Sequence, residues 1–164
     1  MNGKKEKKVK ENKKYKIWII RIILLILIFL WMNIIFGFSA QKSEESSGLS
    51  QMIVRWFTNN ENLIPILEHI IRKLAHFSIY AVGGILIFGF CQTFSISLKR
   101  KIGYTIIVGA LYAATDEFHQ LFVGGRSGQV SDVLIDTSGV IFGIIFIIYI
   151  QKLIKIVKRG KKHD

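Results

Sequence analysis

The residues able to do chemistry fall in two short stretches of an otherwise apolar chain. The first holds Arg72, Lys73, His76 and Tyr80. The second is the string TDEFHQLFVGGRSGQVSDVLID, from Thr115 to Asp136, which carries Asp116, Glu117, His119, Gln120, Arg126, Asp132 and Asp136. Two histidines beside carboxylates suit general acid–base work, with His76 or His119 as base and Asp116 as its orienter. His76, Asp116, His119 and Asp136 also offer nitrogen and oxygen donors of the kind that hold zinc or manganese. No compact ligand motif such as HExxH is present, so neither a metal nor another cofactor is assigned. GxSxG and a phosphate-cradling glycine loop are also missing, and nothing here supports nucleophilic or nucleotide chemistry. Arg72, Arg126 and Lys73 suggest a third chemistry, capture of an anionic group. Asp116, His119, Asp132 and Asp136 would orient those cations and contact the ligand's polar groups.

Each of these residues also has a plain structural reading. Arg72 and Arg126 can clamp Asp116 or Asp136, since a carboxylate near hydrocarbon requires a partner. Asp132 can be a first-turn acid, Lys73 a snorkelling anchor and Tyr80 an interfacial aromatic. Helical spacing groups the residues. Arg72, His76 and Tyr80 are four apart and share a face, as do Asp132 and Asp136, while Asp116, His119 and Gln120 form a third stripe. Glu117 points about 100° away from Asp116, so at most one of that pair is central.

The elements that must position these stripes are read from hydropathy. Hydrophobic residues make up 51% of the 164. The mean hydropathy is +0.39 although 21% of residues are charged. Both hold because long apolar runs alternate with short charged ones, the pattern of a multi-helix membrane protein. The expected fold is all-α, with four transmembrane helices over about 17–38, 74–94, 102–122 and 130–150. An amphipathic helix over 63–74 precedes the second, with Asn62 as a cap and Pro65 in its first turn. The domain limits are a basic arm, 1–16, expected to be disordered, a transmembrane domain, 17–151, and a basic tail, 152–164. Residues 39–60 begin Ser/Glu/Gly-rich and continue into MIVRWF, an interfacial patch. Gly139 with Gly143, and Gly109 with Ala113, are small residues spaced for close helix packing.

The formal charge of +12 does not mark a nucleic-acid binder. The lysines and arginines cluster at the two ends and in one short loop, which suits topology signals and attraction to anionic lipid. On the expected topology seventeen lie on one side and five on the other. Both termini are therefore expected in the cytoplasm of a plasma membrane, with GGRSGQ, a tight reversal, facing out. The three polar stripes then reach the same depth at the outer face. The single cysteine, Cys91, excludes an intramolecular disulfide and is read as a small buried hydrophobe.

FSAQ after the first apolar run, RKLAHFSIYAVGG, and ALYAATDEFHQLFVGGRSGQVSDVLIDTSGVIFG resemble the VanZ-like family, over roughly residues 20–150. The resemblance implies a small bacterial multi-helix membrane protein of the cell envelope. Its namesake is linked to low-level resistance to teicoplanin-type glycopeptides, and no reaction is carried over with it. The expected function is binding of an anionic lipid or wall-precursor group in an outer polar pocket. That pocket is built from Arg72, Lys73, His76, Asp116, Glu117, His119, Gln120, Arg126, Asp132 and Asp136. The expected partners are membrane lipids and a lipid-linked wall precursor or lipoglycopeptide. The alternative is a membrane enzyme acting on a lipid-linked substrate through His/Asp acid–base or metal chemistry. A small transporter is a weaker third, since four crossings leave little room for a pathway.

Overall fold

A computed structural model describes residues 2–41 and 43–160, with side chains described for 7–41 and 47–160. Lys42 and the end of the basic tail, including Lys161 and Lys162, lie outside the described residues. The chain is all-α, with no strand among the described residues. Its five helices are α1 (Asn2–Ser39), α2 (Ser43–Arg55), α3 (Ile64–Gln92), α4 (Leu98–Gln120) and α5 (Val130–Gly160). Lys7–Ser39 of α1, together with α3 and α5, are long and apolar enough to cross a membrane. The third apolar run, 102–122, forms α4, which is not in that group and buries Asp116 and Glu117.

Three expectations change. The lysine-rich arm continues as helix from Asn2 rather than as disordered chain. Lysine and glutamate are good helix formers, and extending a helix nucleated elsewhere costs little. The stretch before residue 56 forms α2, which packs on α3 and fully buries Val54. The amphipathic segment is not a separate element, because residues 64–74 run unbroken into α3. Leu63 occupies its N-cap without a side-chain bond, while Asn62 donates its backbone N–H to Asn60 Oδ1 at 3.0 Å. Pro65 lies in the first turn, where no intrahelical N–H bond is lost.

Packing follows the small residues. α5 lies against α3 in the largest helix–helix interface, with Gly139 and Gly143 facing the backbone of Phe77 and Ala81. Gly109 of α4 accommodates the Val140 side chain, and Ala113 is fully buried. Trp31 of α1 seats its ring over Gly83 of α3. The core joins Trp31, Ile35, Tyr80, Phe88, Ala113, Val140 and Ile144. Large apolar side chains such as Phe29, Leu111, Phe142 and Ile145 stay exposed, as lipid-facing surfaces require.

The two ends of the bundle differ. At one end Arg21 of α1 donates to Thr93 Oγ1 and to its carbonyl, both at 3.0 Å, and lies 4.0 Å over the Phe94 ring. Lys101, in the short basic segment, donates to Gln92 there at 3.0 Å. The other end gathers the C-termini of α1 and α4 and the N-termini of α3 and α5.

Candidate functional site

The polar residues meet at that second end. Asp136, nearly two turns into α5, is fully buried, and its nearest basic side chain is His76, with Nδ1 3.7 Å from Oδ1. Asp116 of α4 is 3% exposed, lies beside the buried Ser39 hydroxyl, and accepts a long bond from Gln120, 3.5 Å away. One donor atom each from His76, Asp116 and Asp136 lie within 4.8 Å of one another. Both oxygens of Asp136, Oδ1 of Asp116 and the Tyr80 hydroxyl are buried without hydrogen-bond partners. Tyr80 is thus fully buried in the bundle core and is no interfacial aromatic.

The cations go elsewhere. Lys73 donates to Asp132 at 2.6 Å. Arg72 lies 3.5 Å from Glu68, one turn earlier in α3, and Gln51 of α2 donates to the same carboxylate at 3.3 Å. Arg126 turns to α1, where Nε donates to the Gln41 carbonyl at 2.8 Å and Nη2 to that of Phe38 at 3.3 Å. The clamp of Arg72 or Arg126 on Asp116 or Asp136 is not formed. Carbonyls at a helix C-terminus are already good acceptors for a cation, so Arg126 needs no carboxylate. Burial, and after it the neighbouring Arg72, hold the Arg126 pKa below its ordinary value.

Lys73 and Asp132 are each a little over a quarter exposed. Their coupling is accordingly expected to be modest, about 0.5–1 kcal/mol. Lys73→Asp and Asp132→Lys should each lower the melting temperature in detergent, and the double swap should recover most of the loss. Strictly additive losses would show that the pair contributes nothing.

Glu117 is buried like Asp116 but has a different partner. Its Oε2 accepts the backbone N–H of Gln129 at 2.9 Å, just before α5 begins. An acid there satisfies an orphan donor and favours the helix N-terminus. The loop between α4 and α5 turns at Gly125, whose φ of 76° suits glycine. That turn carries Arg126 back towards α1.

Two cavities adjoin these residues. A polar one of about 230 Å³ is lined by Arg72, Lys73, His76, Gln120, Arg126 and Asp136 among others. An apolar one of about 300 Å³ lies between α1, α2 and α3, against Ile35, Phe38, Leu49, Ile53 and Ile79. Arg72, His76 and Arg126 line both.

A family model described as VanZ/LLP1 matches residues 24–154. The chain belongs to the VanZ/LLP1 family. No curated protein and no solved structure matches it. The VanZ/LLP1 match runs from within α1 to within α5 and takes in every residue of the polar end, but leaves out the lysine-rich arm.

Of the candidate residues, the structure brings together Arg72, Lys73, His76, Gln120, Arg126, Asp132 and Asp136 around the polar cavity. Asp116 lies behind them, beside His76 and Asp136. His119 is not with them. Its ring packs on Phe36 of α1, with centroids 4.4 Å apart. A base at His119 oriented by Asp116 is therefore not assembled, and the histidine beside carboxylates is His76. Glu68, Gln51, His69 and the carbonyls of Phe38 and Gln41 were not anticipated. Glu68 had a signal, since it lies four residues before Arg72 on the same stripe.

Proposed function

We propose that this VanZ-family protein binds an amphiphile with an anionic headgroup, such as a membrane lipid or a lipid-linked wall precursor, at the outer face of the bacterial plasma membrane. One observation carries this reading. A polar cavity holding two guanidiniums adjoins an apolar cavity, and Arg72, His76 and Arg126 belong to both. Arg126 spends its described hydrogen bonds on neutral carbonyls, so its charge is not neutralised by a carboxylate. An anion would relieve its repulsion with Arg72 and make charge-assisted bonds to a planar fork suited to phosphate. The hydrocarbon portion would lie against Ile35, Phe38 and Ile53.

In this reading α4 is a fourth crossing. Its outward face carries the exposed Ile107, Val108, Leu111 and Phe118, while its carboxylates turn inward. Both termini are cytoplasmic, from the bias of lysine and arginine towards the end bearing Lys99, Arg100 and Lys101. The physiological setting we propose is the family's link to low-level resistance to teicoplanin-type glycopeptides.

The test is binding of an anionic lipid and of a polyprenyl-phosphate precursor to purified protein in detergent. Arg126→Ala and Arg72→Ala should each weaken binding at least about 10-fold, the equivalent of 1.4 kcal/mol. Arg126→Lys should recover only part of it, because the fork is lost. Unchanged affinity in folded Arg126→Ala would overturn the reading.

A further inference from the structure

We infer that His76, Asp116 and Asp136 form a binding site for one divalent transition-metal ion, of the zinc or manganese class, at the floor of the polar cavity. This inference goes beyond the amphiphile reading and does not depend on it.

The argument begins with uncompensated charge. Asp136 is fully buried and Asp116 nearly so, yet no lysine or arginine among the described residues lies within ion-pair distance of either. Lys73 is taken by Asp132, Arg72 by Glu68 and Arg126 by the end of α1. Two carboxylates in a low-dielectric interior require a positive partner, and the nearest basic side chain is His76, 3.7 Å from Asp136.

The geometry fits an ion better than a single imidazole serving two acids. The three donor atoms already lie within 4.8 Å of one another. Around an ion bound at about 2.1 Å, donors sit roughly 3.0–3.4 Å apart. Closing that gap takes side-chain rotation rather than helix movement. The three ligands come from three different helices, α3, α4 and α5, held together by glycine contacts that begin at Gly139 on Phe77, next to His76, and continue along the bundle at Gly143 and Gly109.

A further observation points the same way. Tyr80 is fully buried with its hydroxyl unpartnered, and it lies beside both Asp116 and Asp136. Together with both oxygens of Asp136 and one of Asp116, this is a concentration of unsatisfied polar atoms rare in native interiors. A cation would satisfy the carboxylate oxygens at once, and a water on that cation would reach the hydroxyl. One imidazole with two carboxylates is a donor set for zinc or manganese rather than for a soft, thiolate-seeking metal. Three protein ligands leave coordination positions open, and His76 and Asp136 line the polar cavity. An anionic oxygen entering beside Arg72 and Arg126 could therefore become a further ligand.

The test uses the full chain, purified in detergent without a histidine tag, stripped with a chelator and titrated with zinc or manganese alone. Bound metal is counted after gel filtration, and thermal unfolding is followed with and without the ion. The expected result is about one ion per chain and a higher melting temperature in its presence. Losing a partner of a ligand alone costs about 10–100-fold in affinity, so Asp136→Asn and His76→Gln should each weaken binding by at least about 100-fold. His119→Gln, whose ring packs on Phe36 outside the cavity, should leave it within a few-fold. Should one ligand variant fail to fold, the other decides, because His76 is a quarter exposed and tolerates exchange better. Folded wild-type chain that binds neither ion overturns the site. So does affinity unchanged in the folded ligand variants, or lost equally in His119→Gln. Arg126→Ala should bind the ion normally, which separates failure of this site from failure of the amphiphile reading.

Discussion

Gly143→Leu is expected to leave no cooperatively folded bundle in detergent, whereas Gly103→Ala should melt at or slightly above the wild-type temperature. A Cβ on Gly143 would lie 2.1 Å from the Ala81 carbonyl oxygen, and one on Gly139 2.3 Å from that of Phe77. In the reverse direction, a Cβ on Gly84 would lie 2.4 Å from the Val140 carbonyl oxygen. These neighbours are backbone atoms, so no side chain can rotate away, and α5 must leave α3. In lipid no water drives apolar helix faces together. Association rests on close packing and on weak contacts between approaching backbones. Separating the pair forfeits both along the largest interface of the protein. Overpacking generally costs about 1–3 kcal/mol, and more where backbone must move, so a leucine here should exceed about 3 kcal/mol. The loss reaches the site, because α3 carries Lys73 and His76 while α5 carries Asp132 and Asp136. Around Gly103 a Cβ meets nothing within 4 Å, and alanine gains about 0.5–1 kcal/mol of helix propensity. Circular dichroism melts with gel filtration read both variants. A Gly143→Leu transition within a few degrees of wild type would show that the glycine contacts do not hold the bundle.

The polar end was legible because two simple periodicities agree. Spacing of four puts Arg72, His76 and Tyr80 on one face, and alternating helix direction brings that face level with Asp116 and Asp136. What spacing does not reveal is which acid takes which base. Asp132 and Asp136 lie on one stripe of α5, yet the outer one meets Lys73 and the inner one meets His76. The difference is depth, since the flexible ammonium reaches the cavity wall and the short imidazole lies a turn further in. His119 and Gln120 both lie within one turn of Asp116, and only packing decides that Gln120 faces the carboxylate while His119 faces Phe36. Arg126 was legible as a cation but not as a latch, because backbone carbonyls at a helix end leave no mark in composition. α2 was hidden for a different reason. Its first half is polar enough to read as loop, and its buried positions, Ser50 and Val54, stand out only once α3 supplies the opposite wall.

Trp31→Ala is expected to release the second half of α1 from the bundle and to take the apolar cavity with it. Trp31 is 6% exposed, and its indole N–H donates to the Ile79 carbonyl at 3.0 Å. Its ring fills the notch at Gly83 and meets Tyr80 edge-on at 5.9 Å and Tyr112 at 5.8 Å. In a water-soluble core such a truncation costs about 3–5 kcal/mol. In a membrane the share due to leaving water is missing, because lipid solvates the exposed face as well as the core does. What remains is one hydrogen bond and two aromatic contacts, together about 2 kcal/mol. That is enough to matter for a helix held otherwise by few polar contacts, chiefly Arg21 with Thr93 at the far end and the Tyr112 hydroxyl donating to the Met32 carbonyl at 2.6 Å. Once α1 loosens, Ile35 and Phe38 leave the apolar cavity, and Arg126 loses its acceptors on Phe38 and Gln41. Amphiphile affinity should then fall at least about 10-fold, equivalent to 1.4 kcal/mol, with α3, α4 and α5 still folded. Trp31→Phe, which keeps a ring in the notch but loses the hydrogen bond, should fall between. Undocking can be read directly by placing a cysteine at Ile35, 2% exposed, in a Cys91→Ala background and timing its reaction with a thiol reagent. The cysteine should react slowly beside Trp31 and quickly once Trp31 is alanine. Equal rates would mean that the Arg21 and Tyr112 contacts hold α1 in place by themselves, and that the apolar cavity survives without its tryptophan.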